Sequence, residues 1–306
     1  MVKPLLGLIA RHGRVGLVLG LVAGLALPDM AAALRPWLPE LIGLLLAVTA
    51  LRIGPRAAFG SQSDFRGTLI AVGVFQAFLP CIAFLVFWGA GLLGTPIALI
   101  VILWLAAPSV TGSPNFAILL GQPPAPALRL LVLGTALFPV TVLPVFWLLP
   151  VLDGTGAAFG AAGWLMTVIA VSVGVGFALR LFAMRTPSEE TIAGLDGIAV
   201  VLLSVVVVGL MSALGPALVQ TPFVVAGWLV LACALNWGAQ GLALILLKAH
   251  PARGSFSIVA GNRNIALFLI ALPTEITDPL LIFIGCYQIP MYLTPIVMSR
   301  LYPKEP

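Results

Sequence analysis

Apolar residues run along the chain in long blocks, separated by charges, Pro/Gly clusters and short polar stretches. A helix needs ~20 mostly apolar residues to cross the hydrocarbon of a bilayer. Ten blocks fit that requirement, at about 12–28, 37–53, 67–89, 94–119, 127–150, 158–182, 192–214, 222–248, 255–273 and 279–300. The pattern predicts an all-α polytopic membrane protein of ten transmembrane helices.

Composition agrees. AVILMFWYC residues make up 61% of the 306 residues and charged residues only 8%, against ~25% charged in ordinary soluble domains. The mean hydropathy is +1.17. The formal charge of +5 comes from single Lys and Arg residues scattered between apolar runs. Nucleic-acid binding needs them clustered on one face, so no nucleic-acid partner is expected. Cys81, Cys233 and Cys286 each lie inside an apolar run and have no metal-ligand spacing, which predicts packing roles. Lys3, Arg11 and Arg14 followed by an apolar run resemble a signal peptide. The first run is nevertheless read as a retained helix, because the repeat described below requires it.

Basic residues in the loops orient the spans. With the N-terminus placed in the cytoplasm, thirteen fall inside: Lys3, Arg11, Arg14, Arg52, Arg56, Arg66, Arg129, Arg180, Arg185, Lys248, Arg253, Arg300 and Lys304. Arg35 alone falls outside, and Arg263 lies within the ninth span. Both termini are therefore expected in the cytoplasm, in a multi-pass protein of the cell (inner) membrane surrounded by the lipid bilayer.

Two halves echo one another. Asn115-Phe116-Ala117-Ile118-Leu119 is answered by Asn264-Ile265-Ala266-Leu267-Phe268, an offset of 149. Pro139 and Pro144 are answered by Pro290 and Pro295 at 151, and the run Gly16 to Pro28 parallels Val168 to Arg180 near 152. The halves 1–152 and 153–306 hold five helices each, so the second enters the membrane from the opposite side. Such inverted repeats characterise secondary transporters, whose sites lie near the midplane where corresponding helices are broken. The breaks here are Pro108-Ser109-Val110-Thr111-Gly112-Ser113-Pro114-Asn115 in the fourth span and Gly261-Asn262-Arg263-Asn264 in the ninth. Proline removes a backbone donor, and unwound backbone at that depth survives only inside protein or beside a water-filled cavity.

Arg263 is the most informative residue. A central arginine costs ~2.5–3.5 kcal/mol on insertion scales, and no acidic residue lies deep within any span: Glu275 and Asp278 flank an outer turn, Glu40 and Asp196 helix starts. Its guanidinium reads as a receptor for a carboxylate or other anion, as a cap on carbonyls freed by the broken fourth helix, or as both at once. Asn262, Asn264, Asn115, Ser113, Thr111, Gln76, Thr135 and Gln288 complete the expected substrate-binding set, with Tyr287 a further lining candidate. Asn236 and Gln240 share a helix face and read as interhelical hydrogen bonding. The Gly16, Gly20, Gly24 ladder reads as close helix packing. Catalytic chemistry is not expected: His12 and His250 sit at span ends, Ser109 and Ser113 have no nearby base, and no P-loop is present.

These residues resemble the sodium/bile-acid symporter superfamily and its bacterial homologues over the whole chain. That family's ninth-span motif runs acidic–x–Gly–x–Gln–Asn–x–x–Leu; here it reads Val259-Ala260-Gly261-Asn262-Arg263-Asn264-Ile265-Ala266-Leu267. Gly, Asn and Leu match, while Val259 stands at the acidic place and Arg263 at the Gln. The resemblance implies a sodium site, with Asn115, Gln76 and Thr135 at similar positions and Leu131 where the family has Ser. It also implies a core of spans 3–5 and 8–10 moving against a panel of spans 1, 2, 6 and 7 by alternating access. Losing the only anionic ligand weakens a hard-cation site, and a guanidinium there repels sodium. The expectation is a sodium-independent carrier of a small organic anion, with Arg263 in place of the bound cation and no cofactor. Alternatives are a sodium-coupled organic-anion symporter, an exporter resembling auxin-type efflux carriers, or a membrane sensor that binds without transporting.

Overall fold

The computed structural model describes residues 2–55, 62–149 and 154–302. Arg56 and Lys304 of the basic set, and the boundary between the two halves, lie outside the described residues. The described residues form helices and turns with one isolated antiparallel pairing, Ser109 with Arg263. In chain order the helices are α1 (Val2–Arg11), α2 (Gly13–Ala26), α3 (Pro28–Leu34), α4 (Leu38–Ile53), α5 (Gln62–Gly73), α6 (Leu79–Gly89), α7 (Pro96–Ala106), α8 (Ser113–Leu119) and α9 (Pro124–Thr141). They continue as α10 (Leu143–Leu148), α11 (Gly154–Phe182), α12 (Glu189–Leu210), α13 (Leu214–Gln220), α14 (Pro222–Leu246), α15 (Arg253–Gly261), α16 (Phe268–Ala271) and α17 (Thr274–Val297).

Local chemistry sets many of these boundaries. Proline opens α3, α7, α9 and α14, where its missing N–H is not needed. The Thr95 hydroxyl caps α7 by accepting from Ala98 N, and the Ser188 hydroxyl caps α12 by accepting from Thr191 N. Gly54, at φ 74, ends α4 in a conformation closed to most side chains.

Seven described stretches are long and apolar enough to cross a membrane: Pro28–Ile53, Phe65–Gly89, Pro124–Leu148, Thr155–Phe182, Glu189–Gln220, Pro222–Leu246 and Leu280–Val297. Three of the ten expected spans fall short of that length. The first is a short apolar helix, Val15–Ala26. The fourth is divided into α7 and α8, and the ninth into α15 and the 3-10 turn Ile265–Leu267 with α16.

Packing sorts the helices into two bodies. In one, α12 packs on α1, α2, α3 and α4, and α11 packs on α4. The Gly16, Gly20, Gly24 ladder lets α2 approach α12: a Cβ on Gly20 would lie 2.8 Å from Ser204 O and one on Gly24 2.7 Å from Met211 Cβ. In the other, α14 packs on α15 and α17, α6 on α7, α9 on α5 and α8, and α15 on α8 and α9.

Candidate functional site

The two interrupted segments meet. Val110 N donates to Asn262 O at 3.0 Å, and Asn264 N donates to Pro108 O at 2.8 Å, so each unwound strand supplies the partners the other lacks. That exchange is how irregular backbone is tolerated inside a membrane protein.

Arg263 lies at the crossing with 2% of its surface exposed. Its Nη1 donates to Ala107 O at 3.1 Å and its Nε to Ala260 O at 3.0 Å. Ala107 closes α7 and Ala260 is in the last turn of α15, so the guanidinium bridges the C-termini of two half-helices. Each C-terminus carries roughly half a negative charge; two together match about one cation. The guanidinium carbon also lies 4.8 Å from the centre of the Phe75 ring and 5.9 Å from that of Trp104, where aromatic faces attract it. Of the two readings the residue allowed, the carbonyl cap is the one this geometry displays. Among the described residues Nη2 has no hydrogen-bond partner.

A polar network backs the crossing on the side of α14 and α17. The Tyr287 hydroxyl donates to Gly261 O and accepts from Arg263 N at 2.9 Å. Asn236 Nδ2 donates to Gly261 O at 2.7 Å and to Asn262 Oδ1 at 3.2 Å. Gln240 Nε2 and Thr294 Oγ1 both donate to Asn236 Oδ1, at 2.8 and 3.0 Å, and Tyr302 donates to Gln240 Oε1 at 2.9 Å. Gly261 is required at its position: a Cβ there would come within 2.1 Å of Asn236 O. Asn236 and Gln240 therefore do form interhelical bonds, and they tie three segments together.

On the other side, Gln76 sits in a π-helical turn, Val74–Phe78, between α5 and α6. Such turns recur at functional sites. Gln76 is buried, and its Oε1 accepts from Thr141 Oγ1 at 3.0 Å. Gly134 makes room for it, since a Cβ there would lie 2.4 Å from Gln76 Nε2 and 3.7 Å from Pro108. The buried Thr135 hydroxyl has no partner among the described residues. Ser113 is buried and accepts from Ser109 Oγ at 2.9 Å.

The remaining expected residues are placed differently. Asn115 is exposed, on the face of α8 opposite buried Ser113 and Ala117, and so points away from the crossing. Thr111 and Asn264 are half-buried. Gln288 is buried but donates back to Ile284 O of its own helix at 3.2 Å. Val259, at the acidic place of the family motif, is 2% exposed within an apolar cluster. A separate groove of about 370 Å³ runs between α4 and α11 to Ile270, with Glu40, Trp164 and Ser172 in its wall; none of the site residues lines it. Trp104, Phe75, Thr141, Thr294 and Tyr302 escape a reading of the sequence. Only the i, i+4 pair Asn236 and Gln240 signalled that a buried partner existed. Among the described residues no group of three His, Cys, Asp or Glu could hold a metal ion. No protein-family model matches the chain, and no curated protein is similar enough to match it.

Proposed function

We propose that this chain is a sodium-independent secondary carrier of a small organic anion, with the Arg263 guanidinium as a covalently held substitute for a transported cation. One observation carries the reading: the guanidinium joins the C-terminal carbonyls of two interrupted helices at a backbone crossing, where a cation is needed to offset two helix ends. A charge fixed at that point leaves no electrostatic role for sodium, and the apolar setting of Val259 gives sodium no anionic ligand.

The finer architecture belongs to the same proposal. Ten spans as two inverted five-helix halves are supported by reciprocal packing. The second span lies against the sixth and the first against the seventh, while the third packs on the fourth and fifth as the eighth does on the ninth and tenth. The cytoplasmic termini are supported by the distribution of Lys and Arg. The anion follows from the cationic centre, with Nη2 as its uncommitted donor.

Uptake into proteoliposomes tests the proposal, using a panel of radiolabelled aliphatic and aromatic carboxylates in sodium and in choline. Flux of at least one carboxylate that is equal in the two media is expected. Flux that needs sodium overturns the substitution, and no flux of any member overturns the organic-anion carrier.

A further inference from the structure

The two bodies of the fold meet where the shorter half of the ninth segment (Ile265–Leu267 and α16) packs on α4 and α11, where α9 and α10 pack on α11, and where α17 packs on α12. One hydrophobic cluster spans both bodies there, joining Leu38 and Ile42 of α4 and Leu210 and Met211 beside α12 to Phe268, Leu280 and Ile284. A second cluster, around Val72, Leu130, Ile258 and Met298, draws all its members from one body. On the proposed topology the shared cluster lies toward the non-cytoplasmic face and the one-body cluster toward the cytoplasmic, basic face.

At the rim of the shared cluster, Arg35 pairs with Asp278. Arg35 sits in the 3-10 turn Arg35–Trp37 that leads into α4, and Asp278 in the second turn of α17. The pair therefore links the two bodies. A second ion pair, Arg52 with Asp196 at 2.7 Å, joins α4 to α12 inside a single body. Arg35 is also the one basic residue that the loop asymmetry assigns to the non-cytoplasmic side, and the pair accounts for its presence there. Below the pair, α17 closes directly on the other body: a Cβ on Gly285 would lie 3.1 Å from Leu214 and 3.4 Å from Met211 Cε.

We propose that Arg35 and Asp278 form the latch of a gate on the non-cytoplasmic face, closed in this structure while the two bodies part toward the basic face. The inference rests on the carrier reading for its purpose, though not for its test. Side chains of Arg35 and Asp278 keep 36% and 49% of their surface in contact with solvent. Exposed pairs bias an equilibrium by about two- to fivefold. A latch of that strength selects the closed gate and still releases in every cycle. The seal itself is the apolar contact around Gly285, so the latch sets the population and the contact excludes water.

Distances between spin labels test this in the full chain, with Cys81, Cys233 and Cys286 replaced by serine. One label pair at Trp37 and Glu275 reports on the gate; another at Arg185 and His250 reports on the basic face. Arg35→Ala and Asp278→Ala should each raise the long-distance population at the gate about two- to fivefold, with a matching rise of the short-distance population at the basic face. Arg35→Asp combined with Asp278→Arg should restore the parent distribution, and Arg52→Ala should leave it alone. Gly285→Phe, which wedges the contact apart without touching the pair, should open the gate further than either alanine. Unchanged gate distances in both alanine variants, or a swap that fails to restore them, overturn the latch. Gate opening without shortening at the basic face overturns the reciprocal motion. Proteoliposome flux is scored separately: reciprocal opening without flux removes the carrier and leaves the latch, while flux with a static gate does the reverse.

Discussion

Removing the guanidinium from the crossing is the sharpest perturbation the fold offers. Arg263→Met keeps an unbranched apolar stem of similar length and deletes all donors. Two charge-assisted hydrogen bonds disappear, to Ala107 O and Ala260 O. Hydrogen bonds to charged groups contribute ~1.5–3 kcal/mol each, net of exchange with water, so the pair sets a loss of about 3–6 kcal/mol. The ring contacts add less, because Phe75 at 4.8 Å is well placed but Trp104 at 5.9 Å is near the limit of the effect. Relief from burying the charge offsets part of this loss, but the Met variant leaves Ala107 O and Ala260 O as buried carbonyls without these donors, at ~1–3 kcal/mol each, so the net effect stays destabilising. Arg263→Lys separates charge from geometry. An ammonium supplies a point charge without the planar fork and reaches one of the two carbonyls, so about half the loss, ~1.5–3 kcal/mol, should remain. Thermal and denaturant unfolding of purified protein, followed by tryptophan fluorescence, measures both variants. A Met variant within about 1 kcal/mol of the parent would refute the guanidinium as the bond between half-helices. A Lys variant no better than Met would refute the role of charge.

Three further outcomes follow from neighbouring geometry. Gly261→Ala places a methyl 2.1 Å from Asn236 O and 2.5 Å from Gln240 Cγ and should cost at least ~1–3 kcal/mol by overpacking; Gly160→Ala, with open space around it, should be neutral or stabilise by up to ~1 kcal/mol in the same unfolding assay. Asn236→Leu leaves Asn262 Oδ1 without its donor and removes the acceptor shared by Gln240 and Thr294, while Gly261 O keeps the Tyr287 hydroxyl; an unfolding loss of ~1–3 kcal/mol, the cost of one unpaired buried group, is expected. The parent protein should melt at the same temperature in sodium and in choline at equal ionic strength, whereas Val259→Glu with Arg263→Gln should gain a sodium-specific rise, about 2.7 kcal/mol at a hundredfold excess over Kd; no rise in the double variant refutes the substitution of cation by guanidinium.

The membrane class and the positions of the helix breaks were legible because proline, glycine and charge act on the backbone locally. Residues 107–112 and 262–264 interrupt their helices, at the two places where polar and helix-breaking residues cluster. What Arg263 binds was not legible, for its partners are backbone carbonyls of two alanines, and any residue has a carbonyl. Asn115 shows a different limit. The helix restarts at Ser113, and a change of phase by one residue turns a side chain by about 100° on a helix, enough to put Asn115 on the exposed face and Ser113 on the buried one. Pairings such as Thr294 with Asn236, or Tyr302 with Gln240, are 58 and 62 residues apart in the chain, and no local pattern announces them. The same holds for Arg35 and Asp278: each stood out by its place in a loop, but only packing joins them.

A cation built into the chain changes what drives a carrier. A bound ion couples solute movement to an external gradient because the ion must arrive and leave with each cycle. Arg263 can do neither, so on the proposed mechanism no sodium gradient is spent and the solute moves down its own gradient or in exchange. Control of the cycle then passes from ion occupancy to the interactions that hold each face shut. The crossing is poorly suited to that task, since its guanidinium, carbonyls and tyrosine are all within one body and keep their partners whichever face is open. On the same proposal the contacts between the bodies are the ones that break and form, and the Arg35–Asp278 pair with the Gly285 seal supplies a polar and an apolar part of that exchange. On this proposal a strong crossing and a weak latch are complementary requirements: stability resides where partners are kept, and the ion pair that must release in each cycle is of about thermal strength.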